Sequence, residues 1–497
     1  MSPIYMLTPV LLPMIAGAAT ALIKGDGEGR RRVRNVIMMA ALIAVCAAVL
    51  PILFGGEMEL TLFTLSDRLP IKLHSDLTGR VFAAVICLVW TMAGLYSVGY
   101  MKHEQNHGRF CTLYLLTLGV LMALSFAGTI VTFYMLFECM TLLTFPLVMH
   151  SMKRDAVAAG IKYLIYSIVG ASLVLMGVFM LSPYVSTFDF VSGGVLDAEK
   201  LAGHGSAALI AAFLMLVGFG AKAGMFPLHG WLPTAHPAAP SPASAVLSGI
   251  ITKAGVLGAL RVIYFFMGAD TLRGSWVQTA FMSLTLFTVF MGSMLAYREK
   301  LLKKRLAYSS VSQVSYVMFG LSTLNPIGLT GALLHVVCHA LIKDVLFMSA
   351  GAVIERTGAA RVDELDGVGK RMPVTMWCFT LASVGLVGIP PCMGFISKWY
   401  LAQGALNMTG VAGSFSWLAP AVLLVSALLT AGYLLPISTH GFFPPRDAEG
   451  AKAGYEKCEA SVSMLTPMII LTALSIALGA MPGGLIALLE RLTGALM

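Results

Sequence analysis

The sequence predicts an all-α polytopic membrane protein of about 14 transmembrane helices. Composition is the first observation: 58% of the 497 residues are hydrophobic and 11% charged, with mean hydropathy +0.84, beyond what a soluble domain of this length carries. The second is the recurrence of apolar runs near the ~20 residues that cross a ~30 Å hydrocarbon core. The short alternating segments of a β-barrel are absent. The third is charge placement, since cytoplasmic loops concentrate Lys and Arg.

Taken in order, MSPIYMLTPVLLPMIAGAAT lacks the basic region of a cleaved signal and reads as a retained first span. Breaks at Gly, Pro and charge clusters then place spans near 4–23, 33–54, 79–99, 110–127, 129–150, 156–182, 207–228, 243–267, 276–297, 306–323, 327–355, 373–403, 416–443 and 461–490. Alternate loops, beginning with KGDGEGRRRVRN and including REKLLKKR, hold 21 of the 33 basic residues, Arg446 and Lys452 among them. The opposite loops hold six, Arg68 included, and six lie inside spans. The formal charge of +9 therefore belongs to topology, with both termini outside, and not to nucleic-acid binding. Eight cysteines lie scattered without cluster spacing, which reads as packing. The loops carry no phosphate-cradling motif and no nucleophile–base pair, so no catalytic residue, metal ligand or cofactor site is expected.

The chemistry lies in charges placed where lipid belongs. A charge at a helix centre costs roughly 2.5–3.5 kcal/mol on insertion scales, so such residues usually face a hydrated or protein-lined interior. Glu138 in FYMLFECMTLLTF and Lys222 in GFGAKAGMF form a candidate carboxylate–lysine pair whose opening and closing changes proton affinity. Lys253 lies mid-span in LSGIITKAGVLGAL. Lys162 is nearer an interface, where snorkelling is the rival explanation. Arg261 lies nearer an outer end and reads as an anchor. In LLHVVCHALIKDVLF, His335, His339 and Lys343 recur every four residues and form one stripe able to relay protons. Metal binding by the two histidines lacks an acidic third ligand, since Asp344 points about 100° away. Asp344 and His229 are left as candidate modulators.

Two spans are broken by proline, the seventh at Pro227 and the twelfth at Pro390 and Pro391. Lys222 precedes the first break and Lys398 follows the second, with anchoring beside Trp399 and Tyr400 as the rival for Lys398. That reversed order is expected of inverted repeats flanking an ion site. The chain then divides into helices 1–3 (1–109), a first five-helix unit (110–270), a second (271–445) and helix 14 (446–497).

The stretches around Glu138, GFGAKAGMFPLHGWLPTAHPAAPSPASA, GIITKAG, KRLAYSSVSQ, HVVCHALIKDVLF and GIPPCMGFISK resemble the antiporter-like family. That family is shared by respiratory complex I, membrane-bound [NiFe]-hydrogenase and formate hydrogenlyase complexes, and Mrp-type Na+/H+ antiporters. The resemblance implies fourteen helices, two inverted five-helix units and a hydrated polar axis. It places the family's functional positions on Glu138, Lys162, Lys222, Lys253, His335, His339, Lys343 and Lys398. Lys398 is glutamate in some members, and Asp344 lies outside the pattern. The chain ends soon after the fourteenth span, which argues against the paralogue with a long lateral helix. The expected function is proton translocation in a redox-driven complex of the hydrogenase or NADH dehydrogenase type, in a prokaryotic plasma membrane. Its expected partners are paralogous membrane subunits, a redox module and lipid. An Mrp-type Na+/H+ antiporter subunit is the alternative, although the spans hold few carboxylates for a cation site.

Overall fold

The computed structural model describes residues 2–66, 69–444 and 456–497. Arg68, Arg446 and Lys452 of the charge pattern lie outside the described residues. The first helices are α1 (Thr8–Leu22), α2 (Glu28–Phe54), α3 (Leu77–Tyr100), α4 (His107–Ser125), α5 (Ile130–Val148) and α6 (Arg154–Leu181). The broken seventh span is α7 (Gly205–Ala223) followed by the short α8 (Leu232–Ala238). Next come α9 (Ser241–Met267), α10 (Trp276–Arg298), α11 (Leu302–Ser322) and α12 (Pro326–Thr357). The broken twelfth span is α13 (Pro373–Val387) plus α14 (Met393–Leu406), followed by α15 (Leu418–Phe442), α16 (Val462–Ala480) and α17 (Gly483–Leu496).

Among the described residues, 12 helices are long and apolar enough to cross a membrane. The expected tenth span, α11, is a helix but begins with Lys303, Lys304 and Arg305 and is rich in serine. The expected twelfth is divided into pieces of 15 and 14 residues. One expectation needs correction. Residues 461–490 are not one span: α16 stops at Ala480, because Pro482 cannot donate to the ladder and Gly483 and Gly484 are poor helix formers. The loop after α2 contains an antiparallel hairpin, β1 (Glu59–Thr64) with β2 (Pro70–His74).

Burial ranks the helices. The apolar window of α9 is 100% buried and that of α12 is 94% buried, against 33% for α1. The two most enclosed of these twelve spans carry Lys253 and the His335–Lys343 stripe. Peripheral helices instead expose Leu, Ile and Phe, as a lipid-facing surface does.

Hydrogen bonds sort the loops onto two faces. On the basic face, Arg31 donates to the carbonyls of Met101, Lys102 and Glu104, and Arg109 to that of His150. Leu302 N–H reaches Ala360 O at 2.9 Å and Cys458 N–H reaches Arg371 O at 3.0 Å. On the other face, Lys72 bridges Glu59 at 2.9 Å and Asp189 at 2.8 Å. There too, Arg273 donates to Leu324 O at 2.7 Å and Ser192 to Ala495 O at 2.7 Å. Helix α17 lies along this second face with Leu489, Leu492 and Leu496 turned inward.

Arg261 is no interfacial anchor. It is 2% exposed and donates to both oxygens of Asp76, at 2.5 and 2.8 Å, with its guanidinium between the rings of Phe190 and Phe265. Asp76 is the N-cap of α3 and also accepts from Gly79 N–H. The pair pins the N-terminal helices to the end of α9, a desolvated position that only a well-bonded ion pair occupies without large cost.

Candidate functional site

The site begins where α7 breaks. Gly224 caps α7 in the left-handed region (φ +82°), where a side chain would be strained. Lys222, two residues earlier, is 1% exposed. Its ammonium donates to Tyr163 Oη at 2.6 Å, Thr141 Oγ1 at 2.8 Å and Ser167 Oγ at 3.2 Å. Those three hydroxyls occupy all three of its protons. Glu138 lies one turn before Thr141 on α5 and is half-buried, with Oε1 enclosed and bonded to nothing in the protein. The structure thus brings Glu138 and Lys222 to one junction without an ion pair between them.

Lys162, on α6, is half-buried and lines a cavity of about 870 Å³ that opens among the basic-face loops, with His150, Asp155, Thr234 and Lys304 in its wall. His229 lies just past the break, its Nδ1 buried and without a partner. Carbonyls freed at the break are used locally: Ala221 O accepts from the Trp231 indole at 2.8 Å.

In the centre, Lys253 is 2% exposed and donates to Ser248 O at 2.6 Å and to His339 Nδ1. The Ser248 carbonyl is available because α9 widens into a π turn over Leu247–Ile251. Lys343 turns to α11, donating to Leu306 O at 3.0 Å and to Ser309 Oγ. One turn before His339, His335 bonds Ser397 Oγ at 2.9 Å and Gln313 Oε1 at 3.1 Å, and its ring lies 6.1 Å from that of His339. Asp344 is fully buried, about 100° around α12 from Lys343.

The far end is built at the second break, where Gly388 caps α13 (φ +90°) and Pro390 and Pro391 follow. Lys398, half-buried, donates to the freed carbonyls of Leu386 at 2.6 Å and Val387 at 2.9 Å and lies over the Tyr316 ring. It caps the broken helix from within instead of reaching for headgroups. Lys398→Met should therefore leave two acceptors unpaired and cost about 1–3 kcal/mol each at most, read as a lower melting temperature of the purified assembly.

Reading along the sequence missed His236 on α8. It is fully buried, both ring nitrogens lack partners, and its ring stacks on Phe347 at 4.6 Å. Lys343, Lys303 and Lys253 are the charges it faces. Its place between two intramembrane lysines was the available signal, but PTAHPA with its two prolines reads as loop. The hydroxyl partners of Lys222 also had no sequence signature. Among the described residues, no group of three or more His, Cys, Asp or Glu side chains is arranged to hold a metal.

A helical membrane protein whose innermost helices carry hydrogen-bonded lysines and histidines, reached from broken helices on either side, belongs to the class of ion-translocating subunits. The chain belongs to the antiporter-like family described as NADH:quinone oxidoreductase/Mrp antiporter, whose profile matches residues 127–440. A second profile, described as the N-terminus of NADH-ubiquinone oxidoreductase (complex I) chain 5, matches residues 63–111. NADH-quinone oxidoreductase subunit N of Desulforudis audaxviator is 34% identical over 78% of this chain and 77% of its own. Hydrogenase-4 component B of Escherichia coli is 31% identical over 82% of this chain, which spans 62% of that relative's length. A Na(+)/H(+) antiporter subunit of Bacillus subtilis is 25% identical over 96% of this chain and 93% of its own. Two solved structures share the fold: the Mrp complex of Dietzia sp., with TM-score 0.85 at 23% identity over 99% of this chain and 97% of that one, and an archaeal membrane-bound sulfane sulfur reductase, with TM-score 0.86 at 22% identity over 100% and 98%.

Proposed function

We propose that this chain is the proton-translocating subunit of a redox-driven membrane complex related to complex I, of the hydrogenase or NADH dehydrogenase type, and carries no redox centre of its own. The observation that carries this is the burial of Lys222, Lys253, His335, His339 and Lys343, each at 2% exposure or less and each hydrogen-bonded. Charges so placed are retained against their insertion cost because they move an ion. Glu138 and Lys162 form one end of the route, Lys398 the other, with His229 and Asp344 as modulators. Electron transfer in a partner module would alter the Glu138–Lys222 spacing and so shift the proton affinity of the next groups.

The chain would cross a prokaryotic plasma membrane fourteen times, with α11 and the α13–α14 pair as the two further crossings and both termini outside. Residues 110–270 and 271–445 would be the inverted units, each with one broken helix. Glu138 lies beside exposed Met135 and Leu142, a surface that suits a neighbouring membrane subunit.

The match to the Bacillus subtilis Na(+)/H(+) antiporter subunit along 96% of the chain favours a second reading, Na+/H+ exchange without redox coupling. Purification with native partners separates the two. Co-purification of a redox module, with proton uptake driven by its electron donor in proteoliposomes, is the expected result. Recovery of antiporter subunits alone, with proton movement that depends on Na+, would overturn it.

A further inference from the structure

Among the described residues, two carboxylates are deeply buried, and they are treated differently. Asp76 is held by three hydrogen bonds, two from Arg261 and one from Gly79 N–H. Asp344 is 0% exposed, and neither of its oxygens receives a hydrogen bond from any protein group. A permanently ionised carboxylate in that state costs several kcal/mol, which buried structural carboxylates avoid by acquiring donors.

Its position explains what it faces. The neighbouring Lys343 turns to α11, so Asp344, about 100° around the helix, turns to α9. There it packs against Gly249 inside the π turn. A Cβ on Gly249 would collide with Asp344 Oδ1, so a side chain there would have to push the carboxylate aside. The same π turn offers Ser248 O to Lys253, and Lys253 is the charge opposite Asp344. One irregular turn thus serves both the lysine and the carboxylate. The other titratable groups around the pair are Tyr114 on α4, His335, Cys338, His339 and Lys343 on α12, and His236 on α8. Tyr114 donates its own hydroxyl to Trp90 O at 2.6 Å, leaving Asp344 to Lys253.

We infer that Asp344 is the proton-exchange partner of Lys253, a second carboxylate–lysine pair at the centre of the route; this rests on the proton-path assignment above. In the observed arrangement the lysine is turned to His339 and Asp344 keeps its proton as a neutral acid. When Lys253, as neutral amine, turns to Asp344, the O–H bond of the acid breaks and an N–H bond forms on the amine, giving an ammonium–carboxylate pair. A proton arriving along the route re-protonates the carboxylate, and the ammonium turns back to His339 and gives up its extra proton there, restoring neutral amine and neutral acid. One proton moves per cycle, and the carboxylate is ionised only while the ammonium is beside it.

The test uses the native assembly in proteoliposomes, with Asp344→Asn, Asp344→Glu and Lys253→Ala compared to the unmutated complex. Asp344→Asn keeps size but cannot carry a proton, so transport should fall by at least about a hundredfold, the usual lower range for losing a positioned proton-transfer group. Asp344→Glu should keep most of it. Infrared difference spectra between the energised and resting complex should show a protonated-carboxyl band that moves with isotopic labelling of aspartate and is absent in Asp344→Asn. Normal transport in Asp344→Asn while Lys253→Ala is inactive removes Asp344 and spares the path; normal transport in Lys253→Ala removes the path itself. Should Asp344→Asn fail to assemble, the labelled unmutated complex decides, and a spectrum without an aspartate carboxyl band overturns the proposal.

Discussion

Lys253→Ala should abolish proton transport, by about a hundredfold or more, in a complex that assembles normally and melts no lower than its parent. The combination follows from what this lysine does in the fold. It holds one backbone carbonyl and one imidazole, while its burial in α9 costs roughly 2.5–3.5 kcal/mol on insertion scales. Removing it relieves that cost, offsetting the small cavity left behind. A lysine kept for structure would show the reverse, a lower melting temperature with residual transport. Proton uptake and thermal melting measured on the same preparation distinguish the two.

Asp76→Ala should produce the largest loss of stability, about 3–5 kcal/mol, because it strands the Arg261 guanidinium without a counter-charge in the protein core. The Phe190 and Phe265 rings flanking that guanidinium cannot replace the carboxylate. Combining Asp76→Leu with Arg261→Met should recover much of the loss, since an apolar pair of similar volume is often neutral or better. Burial raises the Asp76 carboxyl pKa, but the charge and hydrogen bonds of Arg261 and the Gly79 N–H outweigh it and leave the pKa below its ordinary value. The pair's contribution is therefore complete above the unfolded value near 3.9 and is lost only as pH falls through the lowered one. Melting temperatures across pH 5–8 should not move on its account.

The sequence made the deepest groups of the proposed route legible because a charge inside an apolar run is costly enough to stand out. Lys222, Lys253 and the four-residue spacing of His335, His339 and Lys343 could be read directly. The partners of these groups could not. Tyr163 and Thr141 meet Lys222 across separations of 59 and 81 residues, and ordinary hydroxyls in apolar helices carry no mark. Arg261 was misplaced for a related reason: proximity to a span end suggests an anchor, while the partner that fixes it lies 185 residues away. His236 was hidden by prolines that signal a loop, though its backbone is helical and enclosed. The break after Ala480 was readable from Pro482 and its glycines, but the apolar residues beyond it extend the hydropathy of the span.

Whether the buried groups form one route depends on the stretches between them. Lys222 and Lys253 share no hydrogen-bond partner, although α7 and α9 touch where Gly255 meets Lys222. His335 reaches Ser397, next to Lys398, while Tyr316 packs between His335 and the Lys398 ammonium. A cryo-electron microscopy map of the native complex, at a resolution that shows water, examines both stretches at once. Ordered water linking Lys222 to Lys253 and His335 to Lys398 is expected; dry side-chain packing across either stretch would contradict a single proton route through this chain.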